Sequence, residues 1–511
     1  MDPFFELRRH AGSGHTGKAK LNIVLSAIEE IIVERRGAAA SSATITATEY
    51  FAALMAALEG GDLSSMDDVL SLLSIILPLT PAAPLRSKFK HVSSVFMTIG
   101  RQLHAEGAAA AAAAADDGSG GRSAMLKHLL ECLALVLAQQ DAAAATWASP
   151  SHLQALDFIT AHLDDRRPKV RRAAQQALIG LMRAHHRANP LGSVVLGRVN
   201  EISLAALRSG DSQRCLHVLG FLADAAPLLP AEKAAPLLGV VLGLQAQGNA
   251  LLTAHAFRVL SAVVTAAPLP AAVLGGICDA LLSAKPSAAG GGGGEAGAAW
   301  AALLADACVA LHNSGDRAVA LASLPSAVQA LVGLCESAAP VVGSAAVVAL
   351  GAVLGTCLDE RLLAAAGAAE MAARGEVVTA VASLLDYRYQ RNWHAILPGL
   401  GRLFARAGLS GALSPLLGGL VALHDALEAA PDAAPPGTLR LVEVSVGDAV
   451  AAMGPQVCER EKVVHATLRQ TPAPQSHSLP TYFPSTFPHH QFLPLVHPPF
   501  PSSRPFLRPC P

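Results

Sequence analysis

Apolar residues recur at intervals of three and four almost from the start of this chain. Leu21, Leu25, Ile28, Ile31 and Ile32 form one stripe, with Glu29, Glu30, Arg35 and Arg36 on the remaining faces. That period marks an amphipathic helix. A second helix is predicted over TATEYFAALMAALE, with Thr46 or Thr48 as its N-cap and Gly60-Gly61 as its stop. The pattern then continues with breaks at Gly, Pro, Asn or Asp roughly every 12 to 20 residues. Nowhere do apolar and polar residues alternate with the period of a strand. The chain is expected to be all-α.

Three segments depart from the pattern. Ala108 to Gly121 is polyalanine followed by DDGSGG, and Ser287 to Gly297 is rich in glycine. Neither buries enough apolar surface to order itself, so both are expected to be surface loops. From Cys458 onward the chain is rich in Pro, Ser and His, and proline at that density forbids helix. The expected organisation is a flexible arm over residues 1–17, a continuous helical body over 18–457, and a disordered tail over 458–511.

The body contains a repeat. DRRPKVRRAAQQALIGL places Asp165, Pro168, Val170, Arg171, Ala174, Ala177, Leu178 and Leu181 in the order found in the second helix of a HEAT repeat. Proline in a first helical turn is harmless because its missing N–H would lack a partner anyway. The same offsets return at Pro340, Val342, Ala346, Ala349, Leu350 and Val353. The 172 residues between the two prolines hold four periods of 43, within the usual HEAT range. A weaker echo at Leu252, Ala256, Val259, Leu260 and Val263 falls about two periods after the first. The predicted fold is therefore a HEAT/armadillo-type α-solenoid of stacked antiparallel helix pairs.

Composition agrees. The chain is 52% hydrophobic but only 4% aromatic, so Ala, Leu and Val supply the core. Its formal net charge of −1 excludes a generic nucleic-acid coat, and any RNA contact must come from a local basic patch. Cys132, Cys215, Cys278, Cys308, Cys335, Cys357, Cys458 and Cys510 are scattered without a C-x-x-C pair. They are expected to be buried small apolar residues in a reducing compartment. The N-terminus has no apolar run of signal-peptide length. Ala338 to Leu358 carries no charge and is long enough to span a bilayer. Its Ala and Gly content and Pro340 fit a buried solenoid helix better, and an integral membrane protein is the remote alternative.

Several segments resemble the ribosomal RNA-processing protein 12-like family of HEAT-repeat proteins. They are TATEYFAALMAAL at 46–58, LPLTPAAPLRSKF at 77–89, LAQQDAAAATWASPSHLQAL at 137–156 and DDRRPKVRRAAQQAL at 164–178. LLDYRYQRNWHAILPGLGRLF at 384–404 and VAAMGPQV at 450–457 complete the set. After Val457 the chain leaves the family pattern. The resemblance is to the N-terminal part of such a protein, with karyopherin-like architecture. It implies a nuclear, nucleolar scaffold that associates with pre-ribosomal particles, their pre-rRNA and their ribosomal or assembly proteins. It further implies a role in pre-rRNA processing, subunit maturation and export. A transport receptor binding the Ran GTPase and cargo is the alternative.

Catalytic chemistry finds little support in the residues. GSGHTGKA at Gly12 to Ala19 approaches a phosphate loop but ends in Ala where Mg²⁺ needs Ser or Thr, and no strand precedes it. His185-His186 and His489-His490 are adjacent pairs, and neighbours on a helix face apart. No catalytic, cofactor-binding or metal residue can be nominated, and a non-enzymatic scaffold without cofactors is expected. One basic constellation stands out. Arg166, Arg167, Lys169, Arg171 and Arg172 crowd a helix start, Arg183 and Arg187 follow on the same helix, and Arg86, Lys88 and Lys90 form a smaller group. They could contact rRNA phosphates or a partner. The reading that charge runs favour is a solvated helix face, in which Asp164 and Asp165 pair locally or cap the helix. Tyr387, Tyr389 and Trp393 suit packing between repeats better than base stacking.

Overall fold

The structure, a computed structural model, describes residue 4 and residues 16–454 apart from 37–44, 61–62, 113–118, 190, 287–293, 409–410 and 431–433. No strand occurs among the described residues. Helix α1 (Thr16–Arg36) leads into α2 (Ala47–Gly60) and α3 (Leu63–Ile76), then the short α4 (Ala82–Ser87). Next come α5 (Phe89–Ala112), α6 (Ser119–Ala138), the short α7 (Ala144–Trp147), α8 (Pro150–Thr160) and α9 (Pro168–Ala188). Helices α10 (Val194–Leu207), α11 (Ser212–Ala225), α12 (Ala231–Gly243) and α13 (Ala250–Ala266) follow. The array continues with α14 (Ala271–Ser283), α15 (Gly294–Asn313), α16 (Arg317–Cys335), α17 (Pro340–Cys357) and the short α18 (Glu360–Ala364). It closes with α19 (Ala368–Ala382), α20 (Trp393–Ala407), α21 (Ser414–Ala429) and α22 (Thr438–Met453).

The long helices pair in sequence and stack in two layers. Helices α3, α6, α9, α11, α13, α15, α17, α20 and α22 each pack on the next and form the second layer, with their pair partners beside them. This is a HEAT-type solenoid. Between α9 and α17 the second-layer helices begin at Pro168, Ser212, Ala250, Gly294 and Pro340, so four repeats do separate the two prolines. The residues matched by offset occupy equivalent places. Val170, Ala174 and Leu178, Leu252, Ala256 and Leu260, and Val342, Ala346 and Leu350 are all buried.

Local chemistry sets the helix ends. Thr46 caps α2 through a reciprocal capping box: the Glu49 N–H donates to Thr46 Oγ1, and the Thr46 N–H donates to the Glu49 carboxylate at 2.8 Å. Asp211, Asn249, Asp316 and Asp359 accept from first-turn amides of α11, α13, α16 and α18. Pro150, Pro168 and Pro340 occupy first turns. Three indoles close the repeats further. Trp147, Trp300 and Trp393 are buried, and each donates Nε1–H to a backbone carbonyl, those of Asp141, Leu281 and Leu384 respectively.

Several boundaries read from sequence need correction. The loop expected over 108–121 is shorter, because α5 runs to Ala112 and α6 begins at Ser119. Alanine is the strongest helix former, so the run extends α5 rather than breaking it. The glycine-rich loop expected over 287–297 likewise ends early, since α15 starts at Gly294. Gly297 is buried where a Cβ would lie 3.1 Å from the Val342 side chain, so the absent side chain lets α15 and α17 approach. The arm expected over 1–17 is anchored at Phe4, whose buried ring meets Tyr50 edge-on at 5.0 Å, and α1 already begins at Thr16. Ile31 of the first stripe is 40% exposed. The expected tail, 458–511, lies outside the described residues.

Helices α15, α16 and α17 are long and apolar enough to cross a membrane. In the solenoid, Ala299, Leu303 and Ala307 of α15 and Val342, Ala346 and Val353 of α17 pack inward.

Candidate binding surface on the second layer

The turn between α8 and α9 uses its acids internally. Asp165 accepts from Arg167 Nε at 3.0 Å and Nη2 at 2.8 Å, from the Arg167 backbone N–H at 2.8 Å, and pairs with His162 Nδ1 at 3.0 Å. Burial works against the Asp165 carboxylate, but these bonds outweigh it and hold the carboxyl well below its usual range. Arg171 Nη1 donates to the Asp165 carbonyl at 2.8 Å. Asp164 pairs with Arg214 of the next repeat at 2.6 Å. Asp165 thus neutralises Arg167 alone of the basic cluster, and Asp164 is committed to Arg214.

The ten basic residues singled out from sequence divide accordingly. Arg167 and Arg171 build the turn, and Arg86 is tied to the Gln139 carbonyl at 2.7 Å and to Asp141 at 3.1 Å. Lys88 and Lys90 are exposed at the start of α5, in the first layer, and do not extend the cluster on α9. Arg166, Lys169, Arg172, Arg183 and Arg187 are exposed and make no ion pair or hydrogen bond with another described residue. Four of them share a face of α9, and Arg166 stands just before its extended N-cap Arg167. From Lys169 the spacing runs Arg172, Gln176, Gly180, Arg183, Arg187, in steps of three and four, so the outer face of α9 is one basic stripe.

That stripe has no internal counterion, because α9 contains neither Asp nor Glu. From Lys169 to Arg187 it runs about 27 Å at 1.5 Å per residue. Its first turn also lies at the positive end of the helix dipole, which adds to the attraction for anions. Gln176 and Gly180 complete the face and were missed in the sequence. Their signal was the helical spacing from Lys169, obscured because Arg167 and Arg171 carry the same charge toward a different task. The adjacent Gln175 is also structural and bridges the carbonyls of Leu163 and His217 at 3.1 and 3.2 Å.

Other polar groups are absorbed by packing. His185 turns inward against the Trp147 edge at 4.7 Å, whereas His186 Nδ1 meets the Leu228 carbonyl at 2.9 Å, so the adjacent pair is split between two neighbours. Burial lowers the His185 pKa and that of His152, which stacks on Phe89 at 4.0 Å. The six described cysteines are buried. Burial pushes the thiols of Cys335 and Cys357 up to about 12, which keeps both protonated and unreactive at neutral pH. Trp393 and Tyr389 are buried, and Tyr387 lies 5.4 Å from Trp393, so this aromatic group packs the joint before α20. His424, Asp425 and Glu428 bring ligand atoms within 4.8 Å of one another on one turn of α21, with both acids exposed. Of the phosphate-loop-like segment, Thr16 to Ala19 lie in α1 and 12–15 fall outside the described residues.

Comparison with known proteins places the chain. A family model described as RRP12-like, N-terminal HEAT repeats, matches residues 7–268. An RRP12-like protein of Gallus gallus is 28% identical over 475 residues, covering 89% of this chain and 34% of the relative. Its Homo sapiens counterpart is 27% identical over 479 residues, with the same shares. The chain therefore spans about a third of the length of these relatives. Among solved structures, that of Kap121p aligns at a TM-score of 0.49 and 13% identity, over 82% of this chain and 39% of that one. Kap121p bound to RanGTP aligns at 0.45 and 13% identity, over 91% and 46%.

Proposed function

We propose, from the premise that this chain belongs to the RRP12-like family, that it is a non-enzymatic scaffold of ribosome biogenesis. In this role it holds pre-ribosomal particles in the nucleolus during pre-rRNA processing and subunit maturation. The observation that carries the proposal is the outer face of α9 together with Arg166 just before it: five exposed cations with no ion-pair partner among the described residues, no acid on the helix, Asp165 taken by Arg167 and Asp164 by Arg214. A rigid row of cations on a near-neutral body suits the backbone of a folded RNA. It contacts phosphates, leaving sequence unread. Neighbouring repeats offer further surface to ribosomal or assembly proteins, so one chain holds several partners at once.

Mechanistically the solenoid supplies position alone. Arg167 and Arg171 lock the turn that starts α9, and the stripe is presented by a helix buried along Val170, Ala174, Leu178 and Leu181. The cations are preorganised by their shared helix, which lowers the ordering cost of binding.

The test is ultraviolet crosslinking in cells followed by sequencing of bound RNA, comparing the chain with a variant carrying R166E, K169E, R172E, R183E and R187E. Arg167 and Arg171 stay intact because reversing them would disrupt the turn. Enrichment of pre-rRNA that the variant loses supports the reading. Equal enrichment for both proteins refutes the stripe. With purified single-stranded pre-rRNA segments, full engagement of five phosphates gives a slope of log K against log salt of about −3.5. Reversing Arg183 and Arg187 should flatten it by about 1.4. Direct binding to GTP-loaded Ran, with release of cargo, would favour the transport-receptor alternative instead.

A further inference from the structure

The second layer opens between α17 and α20. These helices touch far less than α15 and α17 do, although they are neighbours in the stack. They meet at one end, where Asn392 Nδ2 donates to the Cys335 carbonyl at 2.8 Å and lies 3.0 Å from where a Gly343 Cβ would be. Beyond that point they diverge and leave a groove of about 720 Å³. Leu350, Leu354, Leu400 and Leu403 line its depth. A methyl group placed on Gly351 or Gly399 would meet nothing within 4 Å, so both walls are open to close approach.

The rim is apolar on one side and basic on the other. Val348 is 73% exposed, and Val341 on the same face of α17 is 61% exposed. Across the groove, Arg402 and Arg406 are exposed and have no ion-pair partner among the described residues. Among the described residues no acid, Phe, Tyr or Trp lines the groove, and its one ring, His394, is paired through Nδ1 with the Arg391 carbonyl at 3.1 Å. A nucleic acid would find two cations and a single imidazole, no run of rings for successive bases, and would desolvate its phosphates against leucine. A protein segment carrying both apolar and acidic side chains matches every wall.

We infer that this groove binds an acidic amphipathic helix of a partner protein, about three turns long, with Leu-type side chains in the groove and carboxylates facing Arg402 and Arg406. A helix is the fitting occupant because the walls are themselves helices, whose backbone groups are bonded internally and offer a strand no ladder to join. Charge argues against self-occupancy, since the chain beyond Glu461 contains arginines but no Asp or Glu. The inference is independent of RNA binding by α9, which lies four repeats away.

The experiment uses the full chain and two fluorescent 18-residue helices, with Leu at positions i, i+3, i+4 and i+7 and either Glu or Lys flanking them, read by anisotropy. The Glu helix should bind, and the Lys helix should bind at least tenfold more weakly. R402E/R406E should invert that order. Gly351→Phe, which fills open space on an exposed helix face, should abolish binding of the Glu helix while leaving the thermal melt unchanged. R183E/R187E should leave binding intact. Equal binding of both helices, indifference to Gly351→Phe, or loss of binding in R183E/R187E would overturn the proposal. So would a photocrosslinking residue at position 348 of the purified chain that captures the chain's own residues 464–511.

Discussion

Helices α9 and α17 stand four repeats apart in the same layer and bury the same pattern. Val170, Ala174 and Leu178 answer to Val342, Ala346 and Leu350. Their outer faces share nothing. On α9 the exposed positions read Lys169, Arg172, Gln176, Gly180, Arg183 and Arg187, and on α17 they read Val341, Ser344, Val348, Gly351 and Gly355. The inner face answers to the neighbouring repeats, which are alike, so it repeats. The outer face answers to whatever binds there, and it is free to diverge. In a solenoid, then, kinship is written on one side of a helix and function on the other.

The sharpest way to break this comparison is to delete a matched core residue from each helix. Leu178→Ala and Leu350→Ala should each cost about 2–5 kcal/mol in denaturant unfolding. A difference between them larger than that spread would show that the two repeats are not equivalent inside. A smaller effect separates the turn from the stripe. Asp165→Ala strands Arg167 and His162 and should cost about 1–3 kcal/mol, whereas reversing exposed Arg183 should stay within about 0.5 kcal/mol. If the two cost the same, the division between structural and exposed cations fails.

The smallest effect concerns acid. His152 and His185 have folded pKa values lowered from 6.5 by burial, so the unfolded chain takes up protons first as pH falls. Stability from these groups is complete above about 6.5 and declines below it until the folded pKa is passed. The melting temperature should fall over that window, and His185→Leu should shallow the slope. Helix α17, with no histidine, contributes nothing to it.

Much of the fold was legible because a repeat states its core several times. The period from Pro168 to Pro340 and the echo near 250 placed second-layer helices, and the cap of the second helix was narrowed to Thr46 or Thr48, of which the capping box with Glu49 selects Thr46. Loop limits were less legible, because polyalanine and polyglycine look equally featureless in sequence. Ala108 to Ala112 continues a helix by intrinsic preference, while Gly297 enters one only because Val342 sits against it. The basic cluster was visible as composition but not as geometry. Five arginines and lysines within seven residues look alike until Asp165 claims two of them. The groove beside Val348 could not be read at all, since it arises from how α17 and α20 diverge.

The three buried indoles have an experimental consequence. Trp147, Trp300 and Trp393 stand near the start, in the middle and toward the end of the helical array, each sealed from water and bonded to a carbonyl of its own repeat joint. Repeats touch only their neighbours, so such an array can come apart in sections. The chain thus carries its own fluorescent mileposts, and single-tryptophan versions would report which stretch lets go first.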